Sequence, residues 1–137
     1  MQECYTAAKG IPPRGNGNPI RVSRVTRLAD AVILTGLDKS LDPRLPPFEI
    51  FRTISANVQK ARIFGTAALD ICRVAAGQGD GYFETGIYIW DVAAAGFIVE
   101  QAGGKTYTRP MPGEHRLRFI ASNGRIHAPL CKLINGA

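Results

Sequence analysis

The residues of this chain best suited to chemistry fall within positions 65–104, where two predicted helix starts and one acidic strand end are expected to converge. Gly65, Thr66 and Ala67 open one helical pattern, Asp91 opens another, and Glu84 ends a short extended segment between them. Backbone N–H groups at a helix start attract phosphate, and a carboxylate there attracts Mg²⁺. The pattern therefore predicts a site for a phosphate-bearing ligand, although no second cluster of carboxylates exists to complete a metal site.

Each of these residues also has a purely structural explanation. Asp91 would serve as a helix cap, accepting backbone N–H bonds at the positive end of the helix dipole. Thr66 would likewise be only a cap, and Glu84 only a solvated strand end. Trp90 is large and apolar and is expected to shield the site, while the Ala-Ala-Ala-Gly run at 93–96 is expected to let its helix press closely on a neighbour. Taken singly, the residues leave both explanations open.

The histidines and cysteines suggest no further site. His115 and His127 lack metal-ligand spacing, and neither is expected to be catalytic. Cys4, Cys72 and Cys131 are an odd number without paired spacing, which favours reduced thiols in the cytoplasm over a disulfide framework. Cys72 falls inside an apolar helical pattern and is expected to be a core residue.

Composition indicates one soluble globular domain. The chain has 137 residues, 45% hydrophobic and 20% charged, which is enough for one hydrophobic core. No apolar run approaches the ~18–20 residues that cross a bilayer, and the N-terminal residues show no signal-peptide pattern, so membrane contact is not expected. The net charge of +6 attracts anions, but the basic residues are scattered and not interleaved with stacking aromatics. Nucleic acid is therefore not an expected partner.

Strands and helices alternate from residue 31 onward, which favours a sheet covered by helices on both faces. An N-terminal hairpin is predicted from extended segments at 4–7 and 19–23 around a turn at 9–18, with Pro12 and Pro13 in a loop or at an edge. A loop is predicted over 38–46, and Pro47 is predicted to open a helix. The remaining predicted strands are 31–35, 62–64, 81–84, 88–90, 105–108 and 118–121, and the remaining predicted helices are 67–76, 91–101 and 126–134.

One long motif resembles a known family. Residues 90–104 resemble the C-terminal signature of the inositol monophosphatase family and read Trp-Asp-Val-Ala-Ala-Ala-Gly-Phe-Ile-Val-Glu-Gln-Ala-Gly-Gly. The members of this family are Mg²⁺-dependent, lithium-sensitive phosphatases. Gly-Thr-Ala-Ala at 65–68 and Tyr-Phe-Glu at 82–84 precede it at the separations typical of that family. The dipeptides Lys9-Gly10, Asn16-Gly17 and Ser122-Asn123 also resemble family landmarks. The resemblance covers essentially the whole chain but only the C-terminal half of the family's sequence.

The resemblance implies an α/β fold, namely the C-terminal domain of the inositol monophosphatase sandwich. Its mixed sheet would be flanked by helices and preceded by an N-terminal β-hairpin. Residues 1–25 would be the hairpin remnant of the family's N-terminal sheet. Residues 26–137 would form the C-terminal α/β domain on the substrate side.

The resemblance also implies residue roles. Asp91 would be a carboxylate ligand of one catalytic Mg²⁺, and Glu84 would bind a ring hydroxyl of the substrate. Gly65, Thr66 and Ala67 would hold the substrate through backbone and hydroxyl groups. In this family metal ions activate a water that attacks the phosphate monoester, without a covalent enzyme intermediate. The substrate would be a phosphorylated polyol such as inositol monophosphate.

Two family motifs are missing, and both carry metal-binding acids. The sequence contains neither Gly-Glu-x-x-Glu nor Asp-Pro-[Ile/Leu]-Asp-Gly-Thr; Leu117 and Leu45 stand where the second acids of two partial matches belong. No complete set of catalytic residues is thus present. Mg²⁺ binding by the isolated chain is expected to be weak or absent, because Mg²⁺ requires octahedral oxygen coordination. The isolated chain is accordingly expected to be inactive.

Two functional classes remain open from the sequence. In one, the chain is the substrate-side half of a phosphatase. In the other, it is a non-catalytic module that binds a sugar phosphate or acts through interaction. The exposed strand edges of a hairpin without neighbours invite pairing, so a homodimer or a complex with a separate N-terminal half is expected. The particular phosphomonoester cannot be identified from the fold.

Overall fold

A computed structural model of the chain describes residues 2–37 and 42–136. These residues form two β-sheets and four α-helices. The strands are β1 (Tyr5–Ala8), β2 (Ile11–Gly15), β3 (Asn18–Pro19), β4 (Val32–Thr35), β5 (Lys60–Arg62), β6 (Gly81–Tyr88), β7 (Lys105–Pro110) and β8 (Arg116–Ser122). The helices are α1 (Pro46–Asn57), α2 (Ala67–Ala75), α3 (Ile89–Gln101) and α4 (His127–Asn135), with a short 3-10 turn at Leu28–Asp30.

The larger sheet is mixed, as the family resemblance implied, with the strand order β5-β4-β6-β8-β7. Strand β4 runs parallel to β5 and β6, whereas β8 runs antiparallel to β6 and β7. Thr35 pairs with Phe83 where β4 ends, so the next residue, Gly36, lies beside Glu84 of β6. The topology thus brings the end of β4 against the acidic part of β6.

Helices cover both faces of this sheet, which confirms the predicted fold class. Neighbouring strand residues such as Ile33 and Leu34 point to opposite faces, and each face has its own buried core. Helices α2 and α3 pack on one face, and α1 and α4 pack on the other. Cys72 on α2 is 7% exposed and belongs to the core of that face, so its prediction as a core residue is confirmed.

The small residues of α3 allow the close packing that the sequence predicted. Gly96 is buried, and a Cβ built on it would lie 3.1 Å from Cζ of Phe119 on β8. That separation is shorter than ordinary van der Waals contact between carbon atoms. Helix α3 therefore lies as close to the sheet as a glycine backbone permits.

The N-terminal region differs from the predicted hairpin. The predicted turn at 9–18 contains a strand, β2, which is the middle strand of a three-stranded sheet. Pro12 and Pro13 therefore lie in a central strand and not in a loop or at an edge. The β1–β2 register shifts between Thr6 and Ala8, opposite the two prolines. Such an irregularity accommodates residues that have no N–H to donate to the ladder.

The start of α3 also differs from the prediction. Strand β6 continues to Tyr88 and α3 begins at Ile89, so the predicted extended segment at 88–90 does not exist as such. Asp91 is consequently the third helical residue and not the cap; Tyr88 occupies the cap position, without a side-chain capping bond. A carboxylate in the first turn still gains from the positive end of the helix dipole, so the residue type suits either position.

Two other boundaries were misplaced. Strand β5 covers Lys60–Arg62 and not 62–64, because its pairing with β4 begins at Val32 opposite Lys60. Ile63 and Phe64 are left 47% and 58% exposed. The loop predicted over 38–46 lies outside the described residues at 38–41, and its last residue, Pro46, already belongs to α1.

Candidate functional site

A cavity of about 540 Å³ lies where β4 and β6 approach the starts of α2 and α3. Its wall contains all five residues selected from the sequence, so the fold brings them together. They are Gly65, Thr66, Ala67, Glu84 and Asp91. The wall also contains residues that the sequence did not single out, among them Gly36, Asp70, Tyr82, Tyr88 and Arg116.

The start of α2 presents polar groups to this cavity. Gly65 has a φ of +90°, a conformation that favours glycine, and Thr66 occupies the N-cap position as predicted. The Thr66 side chain makes no capping hydrogen bond, so capping alone does not account for its hydroxyl. The first N–H groups of a helix have no acceptor within the helix. Both kinds of donor are suited to oxygen atoms of a ligand.

The position of the Glu84 carboxylate is fixed by a hydrogen bond from Tyr82. The carboxylate accepts this bond from the Tyr82 hydroxyl, and Tyr82 is fully buried. Burial, followed by the charge of Glu84, raises the pKa of Tyr82, so the phenol stays protonated and remains a donor. Because β6 continues to Tyr88, Glu84 is a half-buried residue within a strand and not the solvated strand end considered from the sequence.

Gly36 is required by the position of Glu84. A Cβ built on Gly36 would lie 2.6 Å from the carboxyl carbon of Glu84. Any larger residue at Gly36 would therefore displace the Glu84 carboxylate. Gly36 belongs to a segment about fifty residues away in sequence, so only the pairing of β4 with β6 reveals the contact.

Asp91 is exposed in the first turn of α3 and lines the cavity. Within residues 2–37 and 42–136, no hydrogen bond or ion pair engages its carboxylate. Because no group in the described ranges occupies it, this carboxylate is available to a ligand or to a cation.

Asp70 is a wall residue that sequence reasoning missed. It is 1% exposed on α2, and its carboxylate lies 2.9 Å from Nη1 of Arg73. Burial raises the pKa of Asp70, and the nearby Arg73 opposes that shift. The sequence could have pointed to Asp70, because it is an aspartate inside an apolar helical pattern. Buried charges are usually paired or functional.

Aromatic residues flank the start of α3. Trp90 is 62% exposed and stacks on Tyr88 with 4.8 Å between ring centroids. It is not among the described wall residues and reaches the cavity only through Tyr88, so the shielding expected of Trp90 stays a prediction. Because α3 begins before Trp90, adjacent side chains diverge by about 100° around the helix axis. The cavity is instead bordered by Tyr88 and by Arg116, whose guanidinium lies 4.9 Å from the Tyr88 ring centroid.

The two histidines lie away from the cavity wall. His115 is in the turn before β8, where its Nε2 is 3.2 Å from Glu114. His127 begins α4, and its Nδ1 lies 2.8 Å from the hydroxyl oxygen of Ser122.

The acids of the cavity wall are the groups that could bind Mg²⁺, the ion that the family resemblance implies. In the part of the chain that the structure describes, no group of three or more His, Cys, Asp or Glu side chains could hold a metal ion. Of the three acids in the cavity wall, Asp70 is bonded to Arg73 and Glu84 accepts the Tyr82 hydroxyl. Mg²⁺ is bound through an octahedron of oxygens. These residues do not fit the ion by themselves.

The partial matches to the missing motifs do not supply further ligands. Asp42 is bonded by Arg44 at 2.6 Å, and Glu114 lies beside His115. Neither acid lines the cavity.

None of the helices in the described ranges is both long and apolar enough to span a membrane.

Comparisons with known proteins agree on one family. A sequence model described as the inositol monophosphatase family matches residues 1–136. The chain is 39% identical to human inositol monophosphatase 1, over 92% of this chain and 47% of the human protein. It is 34% identical to an inositol-1-monophosphatase from Synechocystis sp., over 97% of this chain and 47% of that protein.

A solved structure shows the same fold. The structure of inositol monophosphatase from Anabaena (Nostoc) sp. matches with a TM-score of 0.86 and 34% identity, over 98% of this chain and 55% of that one. The chain thus spans about half the length of the relatives it matches.

Proposed function

The chain belongs to the inositol monophosphatase family, and on this premise we propose that it is the C-terminal, substrate-side half of a phosphoric monoester hydrolase. The proposed substrate is a phosphorylated polyol such as inositol monophosphate. The observation that carries the proposal is the convergence of Gly65, Thr66, Ala67, Glu84 and Asp91 on one cavity.

The proposed roles follow from the chemistry of each group. The Thr66 hydroxyl and the first N–H groups of α2 donate to oxygens of the substrate, either phosphate oxygens or ring hydroxyls. Glu84 accepts a hydrogen bond from a ring hydroxyl, and Tyr82 holds it in position. Asp91 contributes one carboxylate to a cation. These residues bind and orient the ester.

Hydrolysis requires groups beyond the described residues. Since the carboxylates of this cavity do not fit Mg²⁺ alone, the proposed enzyme obtains its remaining acids from another polypeptide segment or chain. The small N-terminal sheet suggests where that partner attaches, because within the described residues β1 pairs only with β2 and leaves one edge open. A separate N-terminal half or a second copy of this chain would satisfy both needs.

Reconstitution tests this proposal. Phosphate release from inositol monophosphate is measured with Mg²⁺ for the chain alone and for the chain joined to the N-terminal half of human inositol monophosphatase 1. We expect release only from the joined protein, and Asp91→Asn should lower it at least tenfold. Asp30→Asn, an exposed aspartate outside the cavity, should change it less than twofold.

Two results would contradict the proposal. Asp91-dependent release by the chain alone would show that it completes its own site. The alternative function is a non-catalytic module that binds a sugar phosphate, and the incomplete set of metal-binding acids favours it. Tight binding of inositol monophosphate without release from a folded joined protein would support that alternative.

A further inference from the structure

A second cavity, of about 840 Å³, lies at the opposite end of α3 from the candidate site. Its wall is formed by the segment 20–24, by the end of α3, and by the loop between β8 and α4. Asp91 and Gln101 border different cavities and are ten residues apart on α3, which is about 15 Å along a helix. The second cavity is therefore a separate place on the molecule.

The charged residues in the wall of this cavity are all basic. None of the described residues that line it is Asp or Glu. In the described part of the chain, none of its four cations makes an ion pair or a side-chain hydrogen bond, whereas Arg44 and Arg52 elsewhere are paired with acids. The four exposed cations are Arg21, Arg24, Lys105 and Arg125.

The backbone beneath these cations is held by buried hydrogen bonds. Asn123 is 3% exposed and donates to the hydroxyl oxygen of Ser23 at 2.9 Å and to the carbonyl of Val25 at 2.8 Å. Its side-chain oxygen accepts from the backbone N–H groups of Arg125 and Ile126. One buried side chain thus joins the segment that carries Arg24 to the loop that carries Arg125, so the spacing of these two positions is fixed before a ligand binds.

The backbone dipoles do not cancel this positive charge. The end of α3 contributes roughly half a negative charge, and the start of α4 contributes roughly half a positive charge. The four side-chain cations exceed both. Consistent with this field, the pKa of His127 at the start of α4 is lowered by burial and then by the positive charge of Lys105.

We propose that this second cavity binds a small ligand carrying two or more phosphate groups. Arginine matches phosphate oxygens with paired hydrogen bonds, and four cations balance the charge of such a ligand. The volume lies within the range of about 300–1,000 Å³ typical of small-molecule sites. The cavity wall contains no aromatic side chain, so it lacks the stacking surface of a single-stranded nucleic-acid site.

Calorimetric titration with inorganic tripolyphosphate at low salt tests the proposal. We expect saturable binding of one ligand per chain. The double variant Arg24→Gln with Arg125→Gln should bind at least tenfold more weakly. The matched control, Lys60→Gln with Arg109→Gln, removes the same charge from exposed positions outside the cavity and should change binding less than twofold. Asp91→Asn should also change it less than twofold, because Asp91 borders the other cavity.

Each alternative result overturns the proposal. Absence of saturable binding by the folded wild type excludes the site, and equal losses in both double variants indicate attraction by net charge only. A change of more than twofold with Asp91→Asn, expected as a gain because the substitution removes a negative charge that repels phosphate, places the ligand in the candidate site. Tighter binding of a thymidine oligonucleotide, lost in the Arg24/Arg125 variant, assigns the surface to nucleic acid. Thermal unfolding of every variant establishes that it is folded, and Arg21→Gln with Lys105→Gln provides a second test on exposed residues.

Discussion

The two ends of helix α3 are joined to the rest of the chain in opposite ways. At its start, Asp91 is exposed and unbonded within the described residues, and Trp90 is 62% exposed. Beyond its end, Asp80 and Asn123 are 6% and 3% exposed and hydrogen-bonded to several neighbours. Buried polar groups are costly unless they are bonded, so the network beyond the end of α3 serves folding. The start of the helix leaves the acid Asp91 available to a ligand, whereas beyond the end the available groups are the exposed cations of the second cavity, carried by that bonded backbone.

The largest expected effect comes from breaking the buried network. Asp80→Ala removes the acceptor for the Ser23 hydroxyl at 2.5 Å and for the Val32 N–H at 2.7 Å. Leaving these part-buried donors without a partner should lower the free energy of unfolding by about 2–4 kcal/mol. Urea denaturation measures this difference.

The matched control is Asp30→Ala. Asp30 is exposed and lies 3.6 Å from Arg27 in a surface ion pair, which is worth about 0–1 kcal/mol. If both substitutions cost the same, the network is not a folding device and the comparison between the two ends of α3 fails.

The second prediction concerns the middle of α3. Gly96→Val places a side chain where a Cβ alone would lie 3.1 Å from the Phe119 ring. Overpacking should lower the free energy of unfolding by about 1–3 kcal/mol, although replacing glycine in a helix by itself favours folding. Ala94→Val, at an exposed position of the same helix, should cost only about 0.7 kcal/mol or less. Equal costs would show that α3 can move away from the sheet.

Local patterns predicted the helices and the alternation of strands with helices because each depends on residues close in sequence, whereas the mixed sheet was implied only by the family resemblance. The helix predicted to open at Pro47 begins one residue earlier, at Pro46, and the helix predicted over 67–76 covers Ala67–Ala75. Pairing between distant segments was not accessible in the same way. The middle strand β2 carries Pro12 and Pro13, which local rules assign to a loop, and only the shifted register with β1 accommodates them.

The same distinction applies to the candidate site. Gly65, Thr66, Ala67, Glu84 and Asp91 were selected because each opens a predicted helix or ends a predicted strand. Two of the residues that were missed enter the cavity through contacts between elements distant in sequence, Gly36 beside Glu84 and Arg116 through Tyr88. Asp70 lies on α2 itself, and what the local pattern did not show is that its carboxylate is buried.

Gly36→Ala tests whether the Glu84 carboxylate in the candidate site binds a ligand. The new Cβ would displace the Glu84 carboxylate, the far end of a flexible side chain, so the fold should be retained. If Glu84 binds a substrate hydroxyl, the loss of one charge-assisted hydrogen bond should weaken inositol monophosphate binding about tenfold. In Glu84→Gln protein, the same Gly36→Ala substitution should add little, because both act on one contact. Additive losses would assign Gly36 an effect independent of Glu84.

The smallest expected effect is a pH dependence beyond the end of α3. The pKa of His127 is lowered from 6.5 by burial and by Lys105, so the unfolded chain takes up a proton at a higher pH than the folded chain does. Stability from this group is complete above pH 6.5 and is lost as the pH falls through 6.5 toward the lowered value. His127→Gln should reduce the fall in melting temperature between pH 7.5 and pH 5.5. Lys105→Gln should reduce it partly, since burial remains, whereas Lys60→Gln at an exposed site on β5 should leave it unchanged. Equal effects of the two lysine variants would mean that Lys105 creates no local positive field at the start of α4. The end of α3 would then not differ in electrostatic potential from the rest of the surface.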